Sequence, residues 1–326
     1  MRSTLTKLLT VLIVAAGTGL VDPSPALAVD PPAQHRIVYN ANVAARVNPL
    51  GLFLFGDLML AERLFRSRDV LLAQNHFAIG LSPQISPAFS RVGLKAELQP
   101  LTIFKVWATY DVGGWFGSFG FLQSFKSPNE DWSDGGHDRL ERNGINPQAA
   151  MGRNLVLGSQ FQFKLGNIAI RNIMRAQQNY WQLDKTRENL DGSVTSQPIY
   201  YDSVFDVPVM VDGGWLVTND LDLFYFFNNS RFIAALRYNW TRAIYNDTAW
   251  ENVPDGEARK SNIIHRIGPA AGYTFKSKGP GFQDPTLFLV LNWYVKHEWR
   301  TGADVHGAIP YIALAYLMKG DIYRAN

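Results

Sequence analysis

The chain has 326 residues, no cysteine, a net charge of +3 and an aromatic content of 13%. The lack of cysteine excludes a small disulfide-stapled scaffold, and the near-balanced charge leaves no footprint for nucleic acid. The aromatic share, 20 Phe, 13 Tyr and 9 Trp, is high for a water-soluble domain.

The N-terminus comes first. Arg2 and Lys7 precede an apolar run from Leu8 to Leu20, and Ala26-Leu27-Ala28 supplies small residues at a cleavage position. This is the layout of a secretory signal peptide. The run of 13 residues falls short of the roughly 20 that a membrane-spanning helix needs. The expected organisation is a signal peptide over 1–28 and one exported domain over 29–326, without a transmembrane helix.

From residue 36 onward the pattern has period two, which signals strands. Strands are expected near 36–47, 51–66, 68–81, 86–98, 101–115, 153–165, 168–181, 215–228, 231–246, 262–276, 285–300 and 308–320. In the fourth and fifth, Val92, Leu94, Ala96 and Leu98 share a face with Phe104, Val106, Ala108 and Tyr110, and Arg91, Lys95, Glu97, Lys105, Trp107, Thr109 and Asp111 share the other. Gly166-Asn167 is a two-residue hairpin turn. A hairpin centred on Asn229-Ser230 sets Phe227 beside Phe232, Leu223 beside Leu236 and Leu221 beside Tyr238. The eleventh strand runs Leu287, Leu289, Leu291, Trp293, Val295 on one face, with Trp299 placed near the membrane interface.

The links alternate. Segments 116–152, 182–214, 247–261 and 301–307 are long. Those between them, at 99–100, 166–167, 228–230 and 277–284, are mostly tight, and the N-terminal ones fall near 48–50, Ser67-Arg68 and 82–85. Twelve long strands with this alternation resemble outer-membrane β-barrel proteins of the porin-like kind, over nearly all of the mature length. The resemblance implies an all-β fold, a closed antiparallel transmembrane barrel of about 12 strands (10–14), with short periplasmic turns and long extracellular loops. It also implies an address in the bacterial outer membrane, contact with its lipid, and delivery by the barrel-assembly machinery. Members typically end on an aromatic residue, whereas this chain ends Tyr323-Arg324-Ala325-Asn326. The last strand's outward set, Tyr311, Ala313, Ala315 or Ile312, Leu314, Tyr316, stays open.

Alternation assigns the lumen. Its cations are Arg91, Lys95, Lys105, Arg171, Arg175, Arg237, Arg266, Lys296 and Arg300; its anions are Glu97, Asp111, Asp220, Asp222 and Glu298. Asp222 faces Arg237 as a cross-strand ion pair, Lys95 faces Lys105, and Arg171 and Arg175 face Gln162 and Gly158. Rings of Arg and Lys line anion pores, so the leading expectation is a monomeric channel for small polar, anionic solutes, without cofactor. A barrel filled by its own ion pairs and acting by binding is the alternative.

A lipid hydrolase is a third possibility. It would need a nucleophile beside a histidine, and no G-x-S-x-G occurs. His265 and His297 alternate with lipid-facing residues and form the candidate constellation on the outer wall. In loop 116–152, Glu130, Asp131, Asp134, His137 and Asp138 offer oxygen ligands for Ca²⁺, without the spacing of a calcium loop, so no metal is assigned. Loop 182–214 contains QPIYYDSVFDVPVMVDGG, too apolar for an exposed segment, and is expected to fold inward as a constriction or lid.

Overall fold

The computed structural model describes residues 30–117, 124–132, 135–136, 139, 142, 148–184, 186–188, 192, 194–246, 249, 263–297, 299 and 309–325. Twelve strands form a closed antiparallel barrel. In chain order they are β1 His35–Val47, β2 Gly51–Glu62, β3 His76–Ile85, β4 Phe89–Leu101, β5 Phe104–Trp115 and β6 Ala150–Leu165. They continue with β7 Ile168–Trp181, β8 Asp212–Phe227, β9 Phe232–Ile244, β10 Ile264–Thr274, β11 Gln283–Lys296 and β12 Tyr311–Ala325. Each pairs with its chain neighbours, and β1 pairs with β12 from His35–Ala325 to Val47–Ile312, so no edge is left. The signal-peptide reading falls outside the described residues.

The outer wall is apolar because alternate residues must meet hydrocarbon. Leu94, Leu223, Leu236, Leu287 and Leu289 are exposed there, and the Phe227–Phe232, Leu223–Leu236 and Leu221–Tyr238 pairs form as expected. The last strand turns Leu314 outward.

Two strands and the links beside them differ from expectation. The third strand is His76–Ile85, not 68–81, the fourth is Phe89–Leu101, not 86–98, and the links sit at 63–75, 86–88 and 102–103. The reason is proline. Pro83 reads as a turn residue but lies inside β3 opposite Val92, and the β2–β3 ladder skips from Leu81 to Gln84 around it. A missing N–H is accommodated by opening the ladder locally. Pro269 does the same in β10, where pairing with β11 jumps from Ile267 to Ala270.

The end of the barrel opposite the short turns is filled. In segment 182–211, Ile199–Asp202 and Val207–Met210 pair as a hairpin, and Ser124–Phe125 adds a third strand. Ile199, Tyr200, Val207, Val209 and Val211 are buried in one apolar cluster with Phe89, Trp115, Trp181, Leu216, Ile264 and Trp299. The loop-end hairpin therefore packs against wall strands around the mouth, as the lid reading of this segment requires. Trp299 belongs to this cluster rather than to the membrane interface, which corrects its expected place.

Candidate lumen site

Below the hairpin two ion clusters line the lumen, beside an apolar patch of Ala270, Phe288 and Val290 with Phe224 and Tyr311 against it. On the β7–β10 wall, Asp222 has no exposed side-chain surface. It accepts from Arg237 Nε (2.6 Å) and Nη2 (3.0 Å) on one side and from Arg171 Nε (3.1 Å) and Nη2 (2.8 Å) on the other. Arg175 Nη1 donates to Asp220 at 3.1 Å, Asn239 bridges Asp220 to Arg266, and the Arg266 guanidinium lies 4.5 Å from the Tyr311 ring. Four arginines thus share two carboxylates.

The cross-strand pair Asp222–Arg237 is as the alternation predicts. Arg171 and Arg175 do face Gln162 and Gly158 on β6, yet both find carboxylates on the other flank, in β8. A residue in a closed sheet has two neighbours, and a single hairpin shows only one.

On the β2–β5 wall, the expected Lys95–Lys105 opposition does not form. Lys95 faces Thr109, and Lys105 faces Gln160 on β6. The cause is the turn, which sits at 102–103 rather than on Pro100, with a register shift between Leu98 and Leu101. Both ammonium groups instead converge on Glu97, at 3.4 and 3.2 Å, and Lys95 reaches Asp57 at 2.7 Å. His76 Nε2 lies 3.2 Å from Glu97. The Trp107 ring lies near both lysines, with their Nζ atoms 5.6 and 5.8 Å from its centroid, within cation–π range. It covers Gly158 so closely that a Cβ there would fall 2.1 Å from the ring.

Part of these clusters is open to the lumen. The Arg171 and Arg175 side chains are 32% and 37% exposed although they point into the barrel. Nearer the loop end the polar layer is dry. Asp111, Asn154, Asn179, Thr218 and Asn292 are buried, with Asn154 Nδ2 donating to Asp111 at 2.5 Å. Arg91 is buried here too, donates to Gln84 at 3.0 Å and stacks on Phe89.

The hairpin is tied to this layer and to the rim. Asn179 donates to the Tyr200 hydroxyl (2.7 Å), which donates to Asp202 (3.1 Å), and Asp202 in turn accepts from the Val204 and Phe205 amides of the hairpin's turn. Burial pushes the Asp202 carboxyl up from its usual range and the Tyr200 phenol well above its own. Arg46 of β1 donates to the carbonyls of Ser203 (2.5 Å) and Val204 (2.6 Å). Tyr294 and His297 both bond Asp206 Oδ2 at 3.0 Å.

Several expectations change. His297 faces inward onto Asp206, because the β10–β11 register slips by one residue between Arg266–Tyr294 and His265–Lys296. A slip of one exchanges the faces of all that follows. His265 stays on the outer wall, where its Nδ1 meets the Tyr238 hydroxyl at 2.7 Å. The expected histidine constellation is therefore not assembled. The same slip sets Lys296 at the exposed outer end of β11, away from the lumen arginines. Glu298 and Arg300 lie outside the described residues, as do Asp134, His137 and Asp138 of the oxygen-rich loop, whose Asp131 pairs with Arg139. Among the described residues, no three His, Cys, Asp or Glu side chains gather around a metal position.

Sequence reasoning missed Asp57, Arg46, Asp202 and Asp206. Asp57 was legible, since it alternates with the outward-facing Leu54, Leu58 and Leu60 in β2. Arg46 and the hairpin aspartates act through contacts about 90 to 160 residues away in sequence, which no local pattern encodes.

Similarity to known proteins is slight. No protein-family profile matches the chain, and no curated protein does. Among solved structures, the chain is similar to a NanC porin (TM-score 0.36, 9% identity, covering 87% of this chain and 100% of that one). It is also similar to the KdgM porin (TM-score 0.36, 6% identity, 88% and 100%). The β domain of the Bordetella autotransporter BrkA gives a TM-score of 0.41 at 11% identity, over 89% of this chain and 100% of that one. Values this low identify no family.

Proposed function

We propose that the protein is an outer-membrane channel for small polar solutes, with a preference for anions and with the hairpin Ile199–Met210 as its gate. The observation that supports this reading is the partial exposure of Arg171 and Arg175 inside the barrel below the hairpin. Arginines there stay about one-third exposed while pointing inward, which a barrel packed solid by its own side chains would not allow. The anion preference rests on the β7–β10 wall, where, among the described residues, Arg171 and Arg237 share Asp222, Arg175 pairs with Asp220, and Arg266 reaches Asp220 through Asn239. Each solute would shed part of its hydration to these fixed donors and leave without energy coupling. A second reading, a barrel that binds but does not conduct, is favoured by the completeness of the apolar packing around the hairpin.

Planar-bilayer recording separates them. Stepwise current is expected from the purified barrel, larger when the hairpin is replaced by a short Gly-Ser link. Silence from both proteins would remove the channel. Under a KCl gradient the reversal potential should report chloride preference, and Arg171→Ala with Arg175→Ala should move it toward zero. A cation-selective current would overturn the charge argument while leaving the channel.

A further inference from the structure

The wall is not equally tall around the barrel. Links 48–50 and 86–88 are only three residues long, so the rim formed by β1 to β4 carries no loop of its own. That rim is apolar to its tip. Val47, Leu50 and Leu52 are exposed, Leu50 by 78%. A rim of this composition, bare among the described residues, favours a covering of hydrocarbon over one of water.

The rim also has a notch. The β2–β3 ladder begins at Leu54–Ile85, so Gly51, Leu52 and Phe53 have no partner on β3. A cleft of about 540 Å³ opens there. Its mouth is formed by Val47, Leu52 and Leu314, which continue the lipid-facing band of the outer wall. Its inner end is formed by Phe53, Phe89 and Trp115, stacked in series with ring centroids 5.9 and 4.9 Å apart, and by Val204 at the hairpin tip. Among the described residues the one charged side chain on the lining is Arg46, whose two Nη groups are engaged by the Ser203 and Val204 carbonyls while its Nε has no partner there. Little polar lining remains to orient a polar ligand. The volume lies within the range of single-ligand sites, about 300–1,000 Å³.

We infer that this notch is a lateral site for one acyl chain, entered from the bilayer between Leu52 and Ala88. Three observations select that occupant: continuity of the mouth with the lipid-facing wall, the nearly all-carbon lining, and the lack of a polar collar at this rim among the described residues. A chain seated there touches Val204 and so reads directly onto the hairpin. The site does not depend on whether the lumen conducts.

The test is photolabelling in vesicles of phosphatidylethanolamine and phosphatidylglycerol containing a trace of phospholipid with a diazirine on one acyl chain. Labelled peptides are mapped by mass spectrometry. Adducts are expected on Phe53, Phe89 or Trp115 as well as on Leu223 and Leu236 of the bare wall. Ala45→Trp, at an exposed position lining the mouth, should cut the inner adducts at least fivefold and leave those on Leu223 and Leu236 unchanged. Leu52→Arg is a second variant with the same expectation, should the first fail to insert. Labelling confined to Leu52, Leu314 and the bare wall would overturn the inference, and so would inner adducts that persist in whichever variant inserts.

Discussion

The two halves of the lumen use polar residues in opposite ways. Toward the short turns, ion pairs are strung between strands and stay in water, as Arg171, Arg175 and Lys105 do. Toward the loops, Asp111, Asn154, Asn179 and Thr218 are dry beneath a hairpin held by apolar packing and a few directed bonds. Exposed pairs contribute little and can exchange partners, whereas in the dry layer Asp111 Oδ2, Asn154 Oδ1 and Thr218 Oγ1 have no hydrogen-bond partner among the described residues and so bear the cost of their desolvation. The first arrangement suits a surface that solutes pass over. The second suits a closure with one docked geometry.

The largest expected effect lies where the wet half has its single dry carboxylate. Asp222→Ala leaves Arg171 and Arg237 facing each other without their shared partner. Removing one member of a buried ion pair costs about 3–5 kcal/mol, and partial solvation of the arginines puts the expected loss near the lower figure. Urea unfolding in lipid vesicles measures it; a loss under about 1 kcal/mol would mean that the lumen water already satisfies both guanidinium groups.

A smaller effect is expected at the latch. Arg46→Ala removes two charge-assisted bonds to the hairpin tip while leaving the wall ladder intact. Each such bond contributes about 1.5–3 kcal/mol, so the open fraction in bilayer recordings should rise at least tenfold, the equivalent of about 1.4 kcal/mol. An unchanged open fraction would assign closure to the apolar packing alone.

The smallest effect is a pH dependence of docking. Burial raises the Asp202 carboxyl when the hairpin is docked, and the undocked group returns to its ordinary range near about 4. Docking is therefore fully favoured below that range, and the contribution is lost as pH climbs through the raised value. The open fraction should increase with pH in the wild type and lose this component in Asp202→Asn. A profile identical in both proteins would assign the titration elsewhere.

Much of the fold is readable from alternation because lipid imposes it. Leu287 to Val295, and the hairpin that pairs Leu223 with Leu236, declare their faces within one strand. The errors fall where proline enters a ladder, as at Pro83, or where a bulge exchanges faces, as before His297. The pairing of Asp222 with Arg237 was legible in their own hairpin, yet the partners of Arg171 and Arg175 were not, because Asp222 binds across two neighbours and only one belongs to its own hairpin. The latch was invisible for a different reason: Arg46 and Asp206 meet partners fixed only once the barrel is closed.

That closure has a kinetic side. The seam joins β1 to β12 over thirteen paired positions, with His35 facing Ala325. These are contacts of the greatest sequence separation the chain offers, and pairings of this kind form slowly. Until the last strand arrives, the first waits with open hydrogen-bonding groups, a template for wrong partners. Growth of this sheet from either terminus therefore leaves one unguarded edge to the final step. A chaperoning template that occupies β1 while β12 is delivered would shorten that exposure without adding any contact to the finished protein.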